Sequence, residues 1–260
     1  MIERTIAGAV LATLVAVVGW RARALTGAGA VLAACVGTLA VAAGWRWGIL
    51  LILFFVASSG LSRVGSGRKA AQVRGIVVKG GARDTRQVMA NGGVFAAAAA
   101  GSLIWPHEAW STAALGALAA VTADTWGTEI GGLARGAPRL ITTWREVPPG
   151  TSGAVSIAGA VATVLGAAFI ATCAALLGWG VDQAAAALVG GVAGAIADSL
   201  VGATVQERRR CTACAMDTEQ RIHLCGATTV VIGGFVWLEN DAVNLLSSAV
   251  GAAVALTLAT

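Results

Sequence analysis

Apolar residues run along the chain in blocks of about 15 to 20, separated by short polar or basic stretches, and each block approaches the length that crosses a hydrocarbon core. Hydropathy places spans near 5–20, 25–43, 46–61, 91–105, 110–133, 153–178, 183–205, 227–238 and 242–259. The pattern predicts an all-α polytopic membrane helix bundle of about nine spans, within a range of seven to nine, forming a single domain over 1–260. The first block reads as a helix and not as a cleaved signal peptide. Its basic pair, Arg21 and Arg23, follows the apolar run, the reverse of a signal peptide's order.

Composition agrees: 57% of residues are hydrophobic and 12% charged, whereas a soluble domain carries roughly 25% charged residues. A soluble enzyme, a secreted disulfide scaffold and a disordered chain are excluded. A net charge of +5 is compatible with nucleic acid, but its placement points to membrane topology. All 18 Lys and Arg except Arg4 and Arg46 fall in the connections 21–24, 62–90, 134–152 and 206–226. The opposite connections carry Glu108, Asp182, Glu239 and Asp241. The positive-inside rule makes the basic loops cytoplasmic, with the N-terminus outside and the C-terminus inside the plasma membrane of a prokaryote. Membrane lipids are the expected surroundings, and nucleic acid is no partner. Trp45, Trp47, Trp105, Trp110, Trp179 and Trp237 are expected at the outer boundary as an aromatic belt.

Glycine is over-represented, with 35 in 260 residues against a usual share of about 7%. Small residues let helix backbones approach where lipid supplies no hydrophobic drive between them. Gly190, Gly194, Asp198, Gly202 and Gln206 are spaced by four, so Asp198 is expected on a packed face. The stretch Ala123-Asp124-Thr125 resembles Ala197-Asp198-Ser199. Each is preceded by a helix expected to open on glycine, at Asn91-Gly92-Gly93 and at Gly150-Thr151-Ser152-Gly153. A parallel duplication of two helix hairpins, with the aspartates facing each other, would produce this pattern.

Of the 13 acids, Asp124, Glu129 and Asp198 fall inside predicted spans. A carboxylate at membrane depth costs a few kcal/mol and normally marks a functional site or a buried pair. Mg²⁺ bound by carboxylates and substrate phosphates is one natural partner, and an ion pair with Arg135 or another loop arginine is the plainer alternative. On an ideal helix Thr128 shares a face with Asp124, while Glu129 lies about 140° away and joins the site only if the helix breaks near Gly127 or if another ligand approaches from its own side. The loop 62–90 ends in Lys79, Arg83, Asp84 and Gln87 just before Asn91-Gly92-Gly93. Arginine, lysine and backbone N–H groups at a helix start suit phosphate, and Gly150–Gly153 with Arg145 repeats the arrangement. A basic loop that only sets topology is the alternative. Together with acids on the same face, these loops point to metal-assisted phosphoryl transfer.

The segments 80–93 (GGARDTRQVMANGG), 123–131 (ADTWGTEIG), 150–156 (GTSGAVS) and 197–206 (ADSLVGATVQ) resemble the motifs of one integral membrane family, and Asn240-Asp241 with Asn244 resembles its final motif. It is the family of the plant phytyl phosphate kinase and its bacterial, archaeal and animal relatives. The resemblance implies phosphorylation of a prenyl monophosphate to the diphosphate, with CTP or another nucleoside triphosphate as donor, in prenylquinone or related isoprenoid synthesis. It also brings Thr125, Ser199, Gln206, Asn240, Asp241 and Asn244 to the candidate site. The acceptor's second phosphate pKa lies near 6, so its nucleophilic oxygen is ionised near neutrality and needs no general base. The two histidines, His107 and His223, offer no Ser-His-Asp arrangement. A secondary transporter and a non-catalytic lipid-binding protein stay open as alternatives, as does a homo-oligomer.

Cys211, Cys214, His223 and Cys225 form C-x2-C-x8-H-x-C within the loop 206–226. Three thiolates and an imidazole suit a structural Zn²⁺, and reduced thiols in a basic loop are the alternative.

Overall fold

The computed structural model describes residues 2–67 and 81–259. Eight long helices run through the described residues: α1 (Ile2–Arg21), α2 (Gly27–Ala43), α3 (Trp45–Arg63), α4 (Thr85–Ile104), α5 (Glu108–Gly131), α6 (Ile157–Leu176), α7 (Val181–Thr204) and α8 (Asn240–Leu258). Among them α1, α3, α4, α6, α7 and α8 are long and apolar enough to cross a membrane, and α2 is apolar but only 17 residues long. Side-chain oxygens begin several of these helices. Thr26 accepts from the Gly29 amide, Ser156 from the Gly159 amide, and Asp84 from the Gln87 amide, filling donors that a helix start leaves unpaired.

The span expected at 227–238 does not form. Val230–Gly233 is instead the edge strand β5, paired with β3 (Arg208–Cys211), whose other side takes β4 (Met216–Thr218). A block of 12 residues, interrupted by Gly233 and Gly234, is too short to cross a bilayer, and its β-branched run Thr228–Ile232 favours extended backbone. With this crossing gone, Glu239 and Asp241 join the basic end of the bundle, and the C-terminus lies at the same end as the N-terminus. The expectation of a C-terminus opposite the N-terminus is corrected accordingly. A short hairpin of β1 (Arg139–Leu140) and β2 (Ala154–Val155) completes the elements at this basic end.

The two cations outside the basic end hold helix ends. Arg4 donates to the Ala42 carbonyl at 2.6 Å, and Arg46 donates to Gly178 at 3.3 Å while lying over the Trp179 ring. The tryptophan belt is only partly realised. Trp45 and Trp105 are exposed at the end opposite the basic one, whereas Trp47 and Trp179 pack edge-on in the core and Trp237 lies at the basic end after β5.

Helix α5 is the axis of the bundle, packed by α3, α4, α6, α7 and α8. Every residue from Ser111 to Ala123 is buried, as expected of a helix that meets protein all round. Close approach rests on small residues. A Cβ on Gly116 of α5 or Gly190 of α7 would stand 2.4 Å from the Gly251 carbonyl of α8, and one on Gly194 would stand 2.5 Å from Ala120. Helices α4 and α5 have 20 and 24 residues, as do α6 and α7, and Asp124 and Asp198 sit near the ends of the longer pair.

Candidate functional site

At the basic end the helices splay around a polar cavity of about 1670 Å³. It is lined by Asp124, Thr125, Thr128 and Glu129 of α5, Asp198 and Ser199 of α7, the 150–153 loop, Gln206, and Asn240, Asp241 and Asn244 of α8. Arg83, Gln87 and Asn91 close its other wall. The segments that the sequence singled out, from Arg83 to Asn244 and so up to 161 positions apart along the chain, thus converge on one space. Lys79 lies outside the described residues.

Asp124 and Asp198 face each other closely enough for their charges to interact, and Glu219 joins them as a third acid near Asp198. Glu219 was not among the expected site residues. It follows β4 directly and is held by the Ser152 hydroxyl at 2.6 Å and the Gln206 amide at 3.0 Å, both to Oε1. Nothing local in the sequence marks Glu219, because its place depends on how the β3–β4 hairpin folds back. Asp198 Oδ2 is buried without a hydrogen-bond partner among the described residues. A buried, unpartnered carboxylate oxygen beside two further acids fits a divalent cation better than it fits a packed core.

Helix α5 stays unbroken to Gly131, so of the two ways for Glu129 to join the site a break near Gly127 is not the one used. Gly127 serves packing instead: a Cβ there would stand 2.4 Å from Thr163 Oγ1 of α6. Glu129 still reaches the cavity, on a different wall, where its charge acts on Arg83. Burial lowers the Arg83 pKa from its ordinary value, and the Glu129 carboxylate opposes that shift. Arg83 donates to Ser59 Oγ at 2.6 Å and lies over the Phe55 ring. Its backbone is stitched to the α1–α2 turn through Ala24 and Thr26.

Asn91-Gly92-Gly93 does not open its helix. Asp84 and Gln87 form a capping box that starts α4 at Thr85, two turns earlier, so Asn91 presents a side chain and not a helix N-terminus. Asn91 accepts a hydrogen bond from Asn244 of α8 at 3.5 Å. Gly92 lies in a second, apolar space, and Gly93 packs near Met89 and Leu245. Likewise Gly150–Gly153 precedes β2, and α6 begins after it at Ile157. Gly153 has φ +74°, and a Cβ there would stand 2.5 Å from the Ser199 carbonyl, so only glycine lets this loop rest on the end of α7. Arg145 is exposed in the loop between β1 and β2 and is not among the cavity-lining residues.

The cavity rim carries a charge network that the sequence reading passed over. Arg86 pairs with Glu239 at 3.6 Å, Arg221 pairs with Glu239 at 2.6 Å and with Glu207 at 3.9 Å, and Glu207 also holds Arg209. The Glu239 carboxylate raises the Arg221 pKa above its ordinary value.

The apolar space is a narrow slot among α1, α2, α3 and α4, lined by residues such as Leu11, Val15, Ala33, Val36, Leu51 and Phe55. Arg83, Gln87 and Asn91 line it as well. These three residues therefore border both the slot and the polar cavity.

Residues 10–252, which include every described motif of the site, match the integral membrane protein family DUF92. The chain belongs to the DUF92 family. Among DUF92 relatives, it is 30% identical to Protein PGR of Arabidopsis thaliana over 94% of this chain and 92% of that protein. It is 36% identical to an uncharacterised membrane protein of Methanocaldococcus jannaschii over 64% of this chain and 67% of that one. Protein VTE6, chloroplastic, of Arabidopsis thaliana is 29% identical over 51% of this chain and 33% of its own length. No solved structure matches this DUF92 protein.

Proposed function

We propose that this DUF92 protein is a prenyl-monophosphate kinase working at the cytoplasmic face of a membrane. The observation that carries the reading is the junction at Arg83, Gln87 and Asn91, which line both an apolar slot and an acidic and basic cavity. A substrate with a long apolar tail and a phosphate head has the shape and polarity of that junction. Its tail would lie among α1–α4, and its phosphate would meet the Arg83 guanidinium and the Gln87 and Asn91 amides. The resemblance to the family of the plant phytyl phosphate kinase supports the same substrate class.

On this reading Asp124, Asp198 and Glu219 would hold Mg²⁺, which neutralises the triphosphate of CTP or another nucleotide when bound. The acceptor's phosphate oxygen attacks the γ-phosphorus, the β–γ bridging P–O bond breaks, and the nucleoside diphosphate leaves. The attacking oxygen is already ionised near neutrality, so the protein's work is positioning and charge neutralisation. Arg83 holds the acceptor phosphate, while Gly153 and Ser152 bring the 150–153 loop against the end of α7 to border the donor's phosphates.

A secondary transporter is less well supported. Beyond Asp124 the bundle is filled by Leu115, Leu118, Phe95, Ile170, Trp47 and Trp179, so the cavity is closed toward the opposite face. A non-catalytic lipid-binding protein would not require acids converging on a buried, unpartnered carboxylate oxygen. The test is transfer from labelled CTP and ATP, with Mg²⁺, to phytyl, geranylgeranyl and farnesyl monophosphate by the detergent-solubilised protein. Diphosphate product that Asp124→Asn and Asp198→Asn each abolish would support the proposal. No transfer to any acceptor by folded protein would overturn it and make transport the next assay.

A further inference from the structure

The segment 205–239 folds into a small sheet without an apolar interior. Its strands hold four, three and four residues. Within it Gln206, Glu207, Cys211, Thr218, His223, Thr229 and Leu238 are buried, whereas Ile222, Leu224, Val230, Val231, Ile232, Phe235 and Trp237 are exposed. Too little apolar area is buried to hold so small a unit, and units of this size usually need a cross-link or a metal.

The side chains that gather at one end of this sheet are Cys211, Cys214, His223 and Cys225, whose ligand atoms all lie within 4.8 Å of one another. Cys211 Sγ and Cys225 Sγ are 3.6 Å apart, and His223 Nδ1 is 3.3 Å from Cys225 Sγ. Tetrahedral Zn²⁺, with bonds of about 2.3 Å to sulfur and about 2.0 Å to nitrogen, gives edges of about 3.8 Å between sulfurs and about 3.5 Å between nitrogen and sulfur. The observed edges come close to these values.

The backbone repeats itself around the cluster. Cys211 and Cys214 flank the β3–β4 turn, and the residue after Cys214, Ala215, has φ +54°. His223 and Cys225 occupy a second turn, and the residue after Cys225, Gly226, has φ +85°. Left-handed geometry after the second ligand of each pair curls both turns around a common point. An alanine at positive φ is uncommon, and a ligand that fixes the turn explains why it is held there.

We propose that these four residues bind a structural Zn²⁺ whose role is to fix the loop that carries Glu219 and Gln206 to the cavity. Four protein ligands complete the tetrahedron and leave no open position, so the metal supplies folding energy and not catalysis. The link to the cavity is short. Cys211 ends β3, β3 pairs with β4 through Arg209 and Thr218, and Glu219 follows at once. Thr229 ties the return strand to this unit, accepting from Arg209 Nε at 2.9 Å and donating to the Gln220 carbonyl at 2.6 Å. Zinc binding by this cluster does not depend on the kinase reading, and its test needs no activity.

The experiment measures metal content of the full-length, detergent-solubilised protein by mass spectrometry, beside Cys211→Ser/Cys214→Ser and Cys173→Ser proteins of equal helix content. The expected result is about one zinc per chain in the wild-type and Cys173→Ser proteins and none in the double variant. Cobalt exchanged into the wild-type protein should show thiolate charge-transfer and tetrahedral absorption bands. Stripping the zinc should expose the basic strand at Arg208–Arg210 to trypsin, and adding zinc back should protect it. Zinc no higher in folded wild-type protein than in the double variant, or a disulfide joining any of the three cysteines in freshly reduced protein, would overturn the proposal.

Discussion

Asn91 and Asn244, 153 positions apart, meet in a side-chain hydrogen bond of 3.5 Å that ties α4 to α8 at the wall of the polar cavity. The contact requires both helices to present their N-terminal halves to the same end of the bundle. It joins Asn91-Gly92-Gly93 to Asn240-Asp241-Ala242-Val243-Asn244 in one structure. Replacing either asparagine by alanine removes a hydrogen bond with a net worth of about 1 kcal/mol, and kcat/KM is expected to fall about fivefold. Because the two act as a pair, the Asn91→Ala/Asn244→Ala protein should be little worse than the poorer single variant, which a double-mutant cycle on kcat/KM measures.

Eight helices place both termini at one end. Epitope tags at the N- and C-termini should be reached from the same side of the membrane, and a tag inserted beside Trp144 should be reached from the other. Protease protection in sealed vesicles reads the result. A C-terminal tag accessible with the Trp144 tag would restore a crossing at 227–238.

The packing at Gly251 leaves no room for side chains. Gly190→Leu is expected to lower stability by about 1–3 kcal/mol or more through overpacking, visible as a lower midpoint of thermal unfolding in detergent. Among the described residues Gly60 has no neighbour within 4 Å of a Cβ, so Gly60→Ala should leave that midpoint unchanged or slightly raised.

Two acids outside the Asp124–Asp198 pair should behave differently. Glu219 lies with that pair, so Glu219→Gln is expected to lower kcat about a hundredfold and to raise the Mg²⁺ concentration needed for half-maximal rate. Glu129 acts on Arg83, so Glu129→Gln should mainly change KM for the acceptor. Steady-state kinetics at varied Mg²⁺ and acceptor separate the two outcomes.

Much of this architecture was legible in the sequence. Charged side chains are expensive at membrane depth, so Asp124 and Asp198 stand out against their alanines and glycines before any fold is known. The spacing of Gly190, Gly194 and Gly202 likewise announces a packed face, and these three are buried. Local competition obscured the rest. The apolar content of 227–238 imitates a span, but its length and β-branched residues suit a strand. Asp84 and Gln87 read as phosphate-loop chemistry, yet their spacing of three is also that of a capping box. Glu219 could not be found from sequence alone, because a hairpin and two long-range hydrogen bonds bring it to Asp198.

In the proposed function one amphiphile occupies both the slot and the cavity, meeting Arg83, Gln87 and Asn91 where the two adjoin. The most direct measurement compares transfer of labelled γ-phosphate to geranylgeranyl monophosphate and to isopentenyl monophosphate, by wild-type and Ala33→Phe proteins. Ala33 lines the slot away from the acids, so a phenylalanine there fills tail space and leaves the phosphate site intact. Wild-type protein is expected to prefer the long acceptor, and Ala33→Phe to lower kcat/KM for it by about tenfold or more while sparing the short one. Equal use of both acceptors by wild-type protein, or an equal loss on both in the variant, would contradict it.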